Sequence, residues 1–261
     1  MAAMPETVPI RPAATILLLR DTPEFEVLMV KRHHQIDFAS GALVFPGGKT
    51  HPSDDDPAWE ALAVGWTSFS SEQRALRVAA VREVYEEAGV LIARHDGGEA
   101  FCGDDHAASQ RETITREPAL FPDLIGSLGV RLDLDALTVF ARWITPSLMP
   151  KRFDTWFFVA EASSDQLALC DGYETVDAEW ISPKRALALA AAGERKVIFP
   201  TRMNLQLLAE STTAAEAIAR AAARPLVTVE PCVRGSGDDR VLVIPPDAGY
   251  GAVAEPLSAA L

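Results

Sequence analysis

Residues 82–90 read R-E-V-Y-E-E-A-G-V, a pattern that predicts a helix carrying three neighbouring carboxylates. A helix turns by about 100° per residue, so Glu83, Glu86 and Glu87 share one side of it. The opposite side can pack on a core because it carries the apolar residues Val78, Val81, Val84, Tyr85 and Ala88. Acids that repel one another beside a packed face favour a divalent cation, and oxygen ligands favour magnesium or manganese over zinc. A solvated acidic surface is the alternative interpretation of such a run.

A second segment lies upstream, where residues 42–49 read A-L-V-F-P-G-G-K. Pro46 ends a short apolar strand, and Gly47 and Gly48 allow a tight turn whose backbone is exposed to a ligand. With both segments in this order the chain resembles the Nudix hydrolases, whose box reads G-x5-E-x7-R-E-U-x-E-E-x-G-U, with U a bulky apolar residue. Residues 82–90 match the second half of the box, and Gly48 supplies its opening glycine.

The first half of the box departs from the family pattern. Asp54 stands where the first glutamate is expected, and residues 55–81 separate it from Arg82. We predict an insert at about residues 55–71, with a turn followed by a short helical or loop excursion. The catalytic half of the box is expected to be intact and the loop between its halves enlarged, which leaves the role of Asp54 open.

Composition restricts the classes of partner and the location. The net charge of −13 argues against a nucleic-acid backbone or an anionic membrane as the main partner. The three cysteines have no zinc-site spacing, so we expect reduced thiols; they are Cys102, Cys170 and Cys232. No segment is long enough to span a bilayer, and neither terminus carries a targeting signal that we recognise. A cytoplasmic location is the expectation.

Strand-like and helix-like segments alternate without regular βαβ spacing, which favours a mixed sheet over a doubly wound fold. Strands are predicted at residues 13–20, 25–31, 43–45, 90–94, 137–145, 153–162, 226–230 and 240–244, and helical segments at 107–129, 182–192 and 203–222. The expected fold class is α/β (α+β), and the resemblance implies a Nudix-type α/β/α sandwich with a mixed β-sheet, a helical insert and a C-terminal helical extension. The expected organisation is a flexible tail (1–9), a Nudix domain (10–225) and an extension that packs on it (226–261).

The resemblance assigns roles to the box residues. Glu83, Glu86 and Glu87 would form the metal-binding and base cluster for Mg²⁺ or Mn²⁺, with Glu83 as first choice for the base. Arg82 would hold neighbouring carboxylates by charged hydrogen bonds, and Gly48 would offer its carbonyl oxygen to the metal.

Further candidates lie outside the box. Glu174 resembles the extra acid that Nudix enzymes often add from a later loop, where it is a second candidate for the base; Glu179 is a weaker rival. The chain's acidity requires local cations near an anionic substrate, and the candidates are Lys31, Arg32, Lys49 and Arg152. Each of these residues could equally be a solvated surface charge.

The substrate expectation rests on finer resemblances. Residues 28–32, 38–48 and Asp54 are similar to the region before the box in coenzyme A diphosphatases, and the long insert resembles the acyl-CoA diphosphatases known from peroxisomes. His51, where an acid is common, and the chain ending depart from that group. The resemblance implies cleavage of CoA or acyl-CoA to 3′,5′-ADP and (acyl-)4′-phosphopantetheine. ADP-ribose or NADH remains an alternative substrate, and a non-catalytic ligand sensor is the alternative class. A nucleotide is the expected partner, and the family also allows a homodimer.

Overall fold

The computed structural model describes residues 8–32, 41–163 and 175–257, and these form fourteen strands and seven α-helices. The strands are β1 (Ile10–Arg20), β2 (Glu26–Arg32), β3 (Leu43–Val44), β4 (Gly47–Lys49), β5 (Ala63–Val64), β6 (Ala93–Arg94), β7 (Arg131–Asp133), β8 (Thr138–Ile144), β9 (Arg152–Glu161), β10 (Thr175–Ile181), β11 (Thr228–Val229), β12 (Cys232–Arg234), β13 (Val241–Val243) and β14 (Ala254–Pro256). The α-helices are α1 (Trp59–Leu62), α2 (Ser71–Ala88), α3 (Asp105–Arg116), α4 (Phe121–Leu128), α5 (Pro183–Ala191), α6 (Phe199–Leu208) and α7 (Ala214–Ala223).

A mixed sheet forms the centre of the molecule. Its strand order is β10-β2-β1-β9-β8-β11, with β3 paired to β2 and β4 paired to β1. Strand β1 runs parallel to β9 and antiparallel to β2 and β4. Because side chains alternate along a strand, Ile16 and Leu18 belong to one hydrophobic core while Leu17 and Leu19 belong to the other. Helices α2, α3 and α4 contribute to the first core and α5, α6 and α7 to the second, which confirms the α/β/α sandwich.

Helix α2 carries the three glutamates, and local capping sets its ends. The Ser70 hydroxyl accepts the Gln73 N–H at 3.4 Å, so Ser70 is the N-cap. Gly89 takes a left-handed conformation with φ of 72° and its N–H donates to the Tyr85 carbonyl, as a C-terminal glycine does. Every residue from 76 to 88 is buried, so the alternative of a solvated acidic face is wrong.

The insert forms part of the first core. Trp59 of α1 is fully buried; its ring centroid lies 5.5 Å from that of Phe121, and its indole N–H donates to the Ser53 carbonyl at 2.7 Å. Strand β5 of the insert pairs with β7, and β7 pairs with β6, in a separate three-stranded sheet. The insert is therefore joined to α4 by packing and to β7 by backbone hydrogen bonds.

Several predicted element bounds differ from the structure. The strand predicted at 90–94 is reduced to β6, and residues 90–92 form a buried connection in which the Ile92 carbonyl accepts the Asp133 N–H at 3.0 Å. The helical segment at 203–222 is two helices, α6 and α7, and α6 starts earlier, with Pro200 in its first turn. Residues 226–257 pack on the second core through β12, β13 and β14, where Leu242 is buried. In these described ranges no helix has the length and apolar character needed to cross a bilayer.

Candidate active site

Arg82 is the centre of a buried polar cluster on α2. Its Nε and Nη2 donate to the two carboxylate oxygens of Asp54 at 2.8 and 3.0 Å, and Nη1 donates to Glu83 at 3.0 Å and Glu86 at 2.8 Å. Nη2 also donates to the Lys49 carbonyl at 2.9 Å. A guanidinium has five N–H donors, and these contacts use all of them. The cluster therefore holds α2 and the loop after β4 in one arrangement.

The contacts of Asp54 show the role that the sequence left open. Its side chain is 1% exposed, and besides Arg82 it accepts the His51 N–H at 2.7 Å. His51 in turn caps the short 3-10 turn Pro52–Asp55, with its Nδ1 accepting the Ser53 N–H at 3.2 Å. Asp54 is thus the ion-pair partner of Arg82, although residues 55–81 separate the two in the sequence.

The electrostatics of Arg82 follow from its burial and its partners. Burial alone lowers the pKa of this guanidinium, but the hydrogen bond to Asp54 and the charges of Glu83, Asp54 and Glu86 outweigh it and hold the pKa above its usual value. Arg82 is therefore a permanent cation with a structural role. Three carboxylates share this one guanidinium, so their summed charge exceeds what Arg82 supplies.

The paired glycines bring the backbone of β4 against the glutamates. The Gly47 N–H donates to Glu87 at 3.0 Å. A Cβ on Gly48 would overlap the Glu83 carboxylate, and a Cβ on Gly47 would lie 2.5 Å from the Ala14 carbonyl oxygen. Only glycine allows both close approaches at this turn. The cluster therefore combines carboxylates of α2 with main-chain atoms of residues 47–49.

The donor chemistry fits a hard divalent cation, since the groups at the cluster are carboxylate and carbonyl oxygens without a thiol or imidazole. Glu83 lies beside Gly48, Glu87 accepts the Gly47 N–H, and the negative charge of Glu83 and Glu86 is only partly offset by Arg82. Within the described ranges no group of three or more His, Cys, Asp or Glu side chains has a metal-binding arrangement. In this structure Glu83 and Glu86 instead accept hydrogen bonds from Arg82.

The other candidates have different surroundings. Lys49 is exposed next to the cluster, whereas Glu174 and the side chain of Arg32 lie outside the described residues. Arg152 is held by Glu230 at 2.6 Å and by the Thr145 carbonyl at 2.9 Å. Arg152 lies opposite Ile10 of β1, whereas Gly48 lies opposite Ala14 of the same strand. The four positions between Ile10 and Ala14 correspond to roughly 13 Å along β1. Arg152 therefore lies apart from the carboxylate cluster, and its contact with a substrate stays a prediction.

Sequence reasoning did not identify the groups that hold the end of α2. Arg111 of α3 donates through Nε to the Glu86 carbonyl at 2.9 Å, and the Tyr85 hydroxyl donates to the Ala107 carbonyl at 2.5 Å. Burial raises the pKa of Tyr85, so it stays a neutral donor. An arginine can satisfy the terminal carbonyls of a helix, but nothing in the sequence connects residue 111 with residue 86.

The fold and the carboxylate cluster on α2 define a Nudix hydrolase domain. More particularly, the chain belongs to the family described as the NUDT19 Nudix domain, which matches residues 65–205, more than half of the sequence. A crystal structure of a NUDIX hydrolase from Alicyclobacillus acidocaldarius is similar, with a TM-score of 0.70, 28% sequence identity, and coverage of 82% of this chain and 97% of that chain.

Two relatives carry names that bear on function. The acyl-coenzyme A diphosphatase NUDT19 of Xenopus laevis is 25% identical over 212 residues, which is 64% of this chain and 55% of that protein. The putative nudix hydrolase 7 of Caenorhabditis elegans is 30% identical over 185 residues, which is 70% of this chain and 55% of that protein. The chain thus spans about half the length of these curated relatives.

Proposed function

We propose that this chain hydrolyses the diphosphate linkage of CoA or acyl-CoA, with Mg²⁺ or Mn²⁺, to 3′,5′-ADP and (acyl-)4′-phosphopantetheine. The observation that carries the proposal is the buried set Glu83, Glu86 and Glu87, in which Arg82 binds Glu83 and Glu86 while Glu83 and Glu87 contact the backbone of Gly48 and Gly47. The similarity to a protein named acyl-coenzyme A diphosphatase supports the CoA substrate.

A diphosphate resists hydrolysis because its oxygens repel a nucleophile. A divalent cation would be held by Glu83, Glu86, Glu87 and the Gly48 carbonyl, and it would neutralise the phosphate charge and lower the pKa of a bound water. The water oxygen forms a bond to one phosphorus while the bond from that phosphorus to the bridging oxygen breaks. Glu83 is the proposed acceptor of the water proton, with Glu174 as the second candidate.

Arg82 has a positioning role in this scheme. Its donors are used by Asp54, two glutamates and the Lys49 carbonyl, so it orients carboxylates without contacting the substrate. The exposed ammonium of Lys49 is the proposed contact for a substrate phosphate, together with Arg32. The homodimer and the cytoplasmic location stay predictions from the sequence.

The test is a product-release screen of purified protein with Mg²⁺ or Mn²⁺. CoA, acetyl-CoA, longer acyl-CoAs, ADP-ribose, NADH and diadenosine polyphosphates are offered, and products are separated by chromatography. Glu86→Gln removes one carboxylate of the cluster. Glu72→Gln is the matched control because it makes the same change at an exposed position in the first turn of the same helix.

Release of 3′,5′-ADP that Glu86→Gln abolishes and Glu72→Gln keeps would establish the proposal. Turnover of ADP-ribose or NADH alone would keep the chemistry and refute the CoA substrate. No turnover by folded protein, with nucleotide binding detected by calorimetry, would favour the ligand sensor.

A further inference from the structure

A cavity of about 300 Å³ lies on the face of the central sheet opposite α2. It is a depression open to solvent on one side, lined by β8, by the end of α7 with the segment that follows it, and by residues 248 and 250. Polar atoms supply more than half of its accessible surface, but nine of its twelve lining residues are apolar, including Phe140, Ala141, Ala222, Leu226, Val227 and Ala248. This volume is at the lower end of the range for small-molecule sites.

Arg224 supplies the positive charge in this lining. Its guanidinium carbon lies 4.9 Å from the centroid of the Phe140 ring, and Nη2 donates to the Phe140 carbonyl. Its Nε and Nη1 donate to no atom of the residues that the structure describes, and no carboxylate in those ranges forms an ion pair with it. Burial lowers the pKa of Arg224, with Tyr250 and Glu210 opposing the shift, yet arginine remains charged at neutral pH.

Tyr250 closes one end of the cavity, but its hydroxyl is already used. It accepts the Trp143 indole N–H at 3.1 Å and donates to the Asn204 side-chain oxygen at 2.6 Å. The charged donors that this lining offers to a ligand are therefore the solvent-facing Nε and Nη1 of Arg224. A partly buried cation facing an apolar space is complementary to a molecule with one anionic group and an apolar body.

We propose that this cavity binds a small carboxylate with an apolar chain, such as a short straight-chain fatty acid. The planar guanidinium matches the two oxygens of a carboxylate, and the alanine, leucine and valine side chains accept the chain. The site lies on the other face of the sheet from the cluster around Arg82 and does not depend on the proposed hydrolysis.

The binding test uses the full chain and isothermal titration calorimetry with butanoate, hexanoate and octanoate, and with octanol as the uncharged analogue. Affinity should rise by about fourfold per methylene until the cavity is filled. Octanoate should bind more tightly than octanol by roughly tenfold or more, the contribution of a charge-assisted hydrogen bond.

Two kinds of variant locate the site. Arg224→Met should weaken octanoate by roughly tenfold or more while leaving octanol binding unchanged, and Arg224→Lys should restore part of the difference. Ala222→Phe would occupy part of the cavity and should abolish binding of both molecules. Ala223→Phe is the matched control, because it makes the same change at the next exposed position of α7, outside the lining.

The proposal fails if octanoate and octanol bind equally, if neither binds at millimolar concentration, or if Ala222→Phe and Ala223→Phe bind alike. It also fails if Arg224→Met, with octanol binding retained, keeps the affinity for octanoate. Octanol binding by Arg224→Met shows that this variant is folded, so a loss of octanoate alone supports the carboxylate site.

Discussion

Asp54→Asn removes the charge that holds Arg82 while keeping the size of the side chain. Asp54 accepts three hydrogen bonds, two from Arg82 and one from the His51 N–H, and its side chain is 1% exposed. Asparagine offers one acceptor oxygen, and its amide group would place a donor against the guanidinium. The substitution therefore removes one charged hydrogen bond between Arg82 and residue 54 and sets an amide N–H against a guanidinium N–H.

The contacts of Arg82 indicate how much folding stability Asp54→Asn should cost. Removing one partner of a buried ion pair costs about 3–5 kcal/mol, because the other charge stays buried. Arg82 retains Glu83 and Glu86, so the lower limit of about 3 kcal/mol applies. For a chain of this size that is a loss of about 6–12 °C in melting temperature. Turnover should also fall, because the loop that bears Gly48 and Lys49 loses an anchor.

The assay is thermal unfolding followed by circular dichroism, together with the product-release screen. Asp55→Asn is the matched control, since Asp55 is exposed in the same 3-10 turn. Equal melting temperatures for the two variants would refute the argument that Asp54 is the anchor of Arg82.

Three further predictions concern other parts of the fold. Trp59→Ala leaves a cavity beside Phe121 and should lower the free energy of unfolding by about 3–5 kcal/mol in urea titrations, whereas an unchanged value would show that the insert is not part of the core. Arg111→Met frees the Glu86 carbonyl and should speed hydrogen exchange at the end of α2 and lower kcat more than it raises KM; protection equal to wild type would contradict this role. Burial raises the pKa of Tyr250 to about 12, so the stability from its neutral form is complete below pH 10 and declines as the pH rises towards 12; Tyr250→Phe should lack this alkaline loss in melting temperature.

The sequence predicted what depends on neighbouring residues. Ser70 and Gly89 cap α2 through contacts within a few positions, so the ends of this helix depend on local sequence. The spacing of the three glutamates places them on one side of that helix whatever it packs against. Gly47 and Gly48 similarly predicted a tight approach of backbone to ligand groups. The sandwich followed from alternation of strands and helices together with the family pattern.

Longer-range contacts could not be predicted in this way. Arg152 was a candidate cation for the substrate, and nothing in the sequence indicated that Glu230 of the C-terminal segment would be its ion-pair partner. The insert was expected to be an excursion, yet Trp59 is fully buried against Phe121. No local pattern records such pairings, because they depend on how distant segments fold together.

What the sequence by itself determined is the chemistry: three carboxylates on a capped helix, paired glycines before them, and a box arginine at the start of the motif. What only the tertiary structure decided is the environment of that chemistry. In the folded chain the glutamates are buried, Asp54 is the ion-pair partner of Arg82 although an insert separates them, and Arg111 donates to the Glu86 carbonyl near the end of α2. The physical reason is that side-chain spacing on a helix follows from local geometry, whereas burial and ion pairing depend on which distant segments meet.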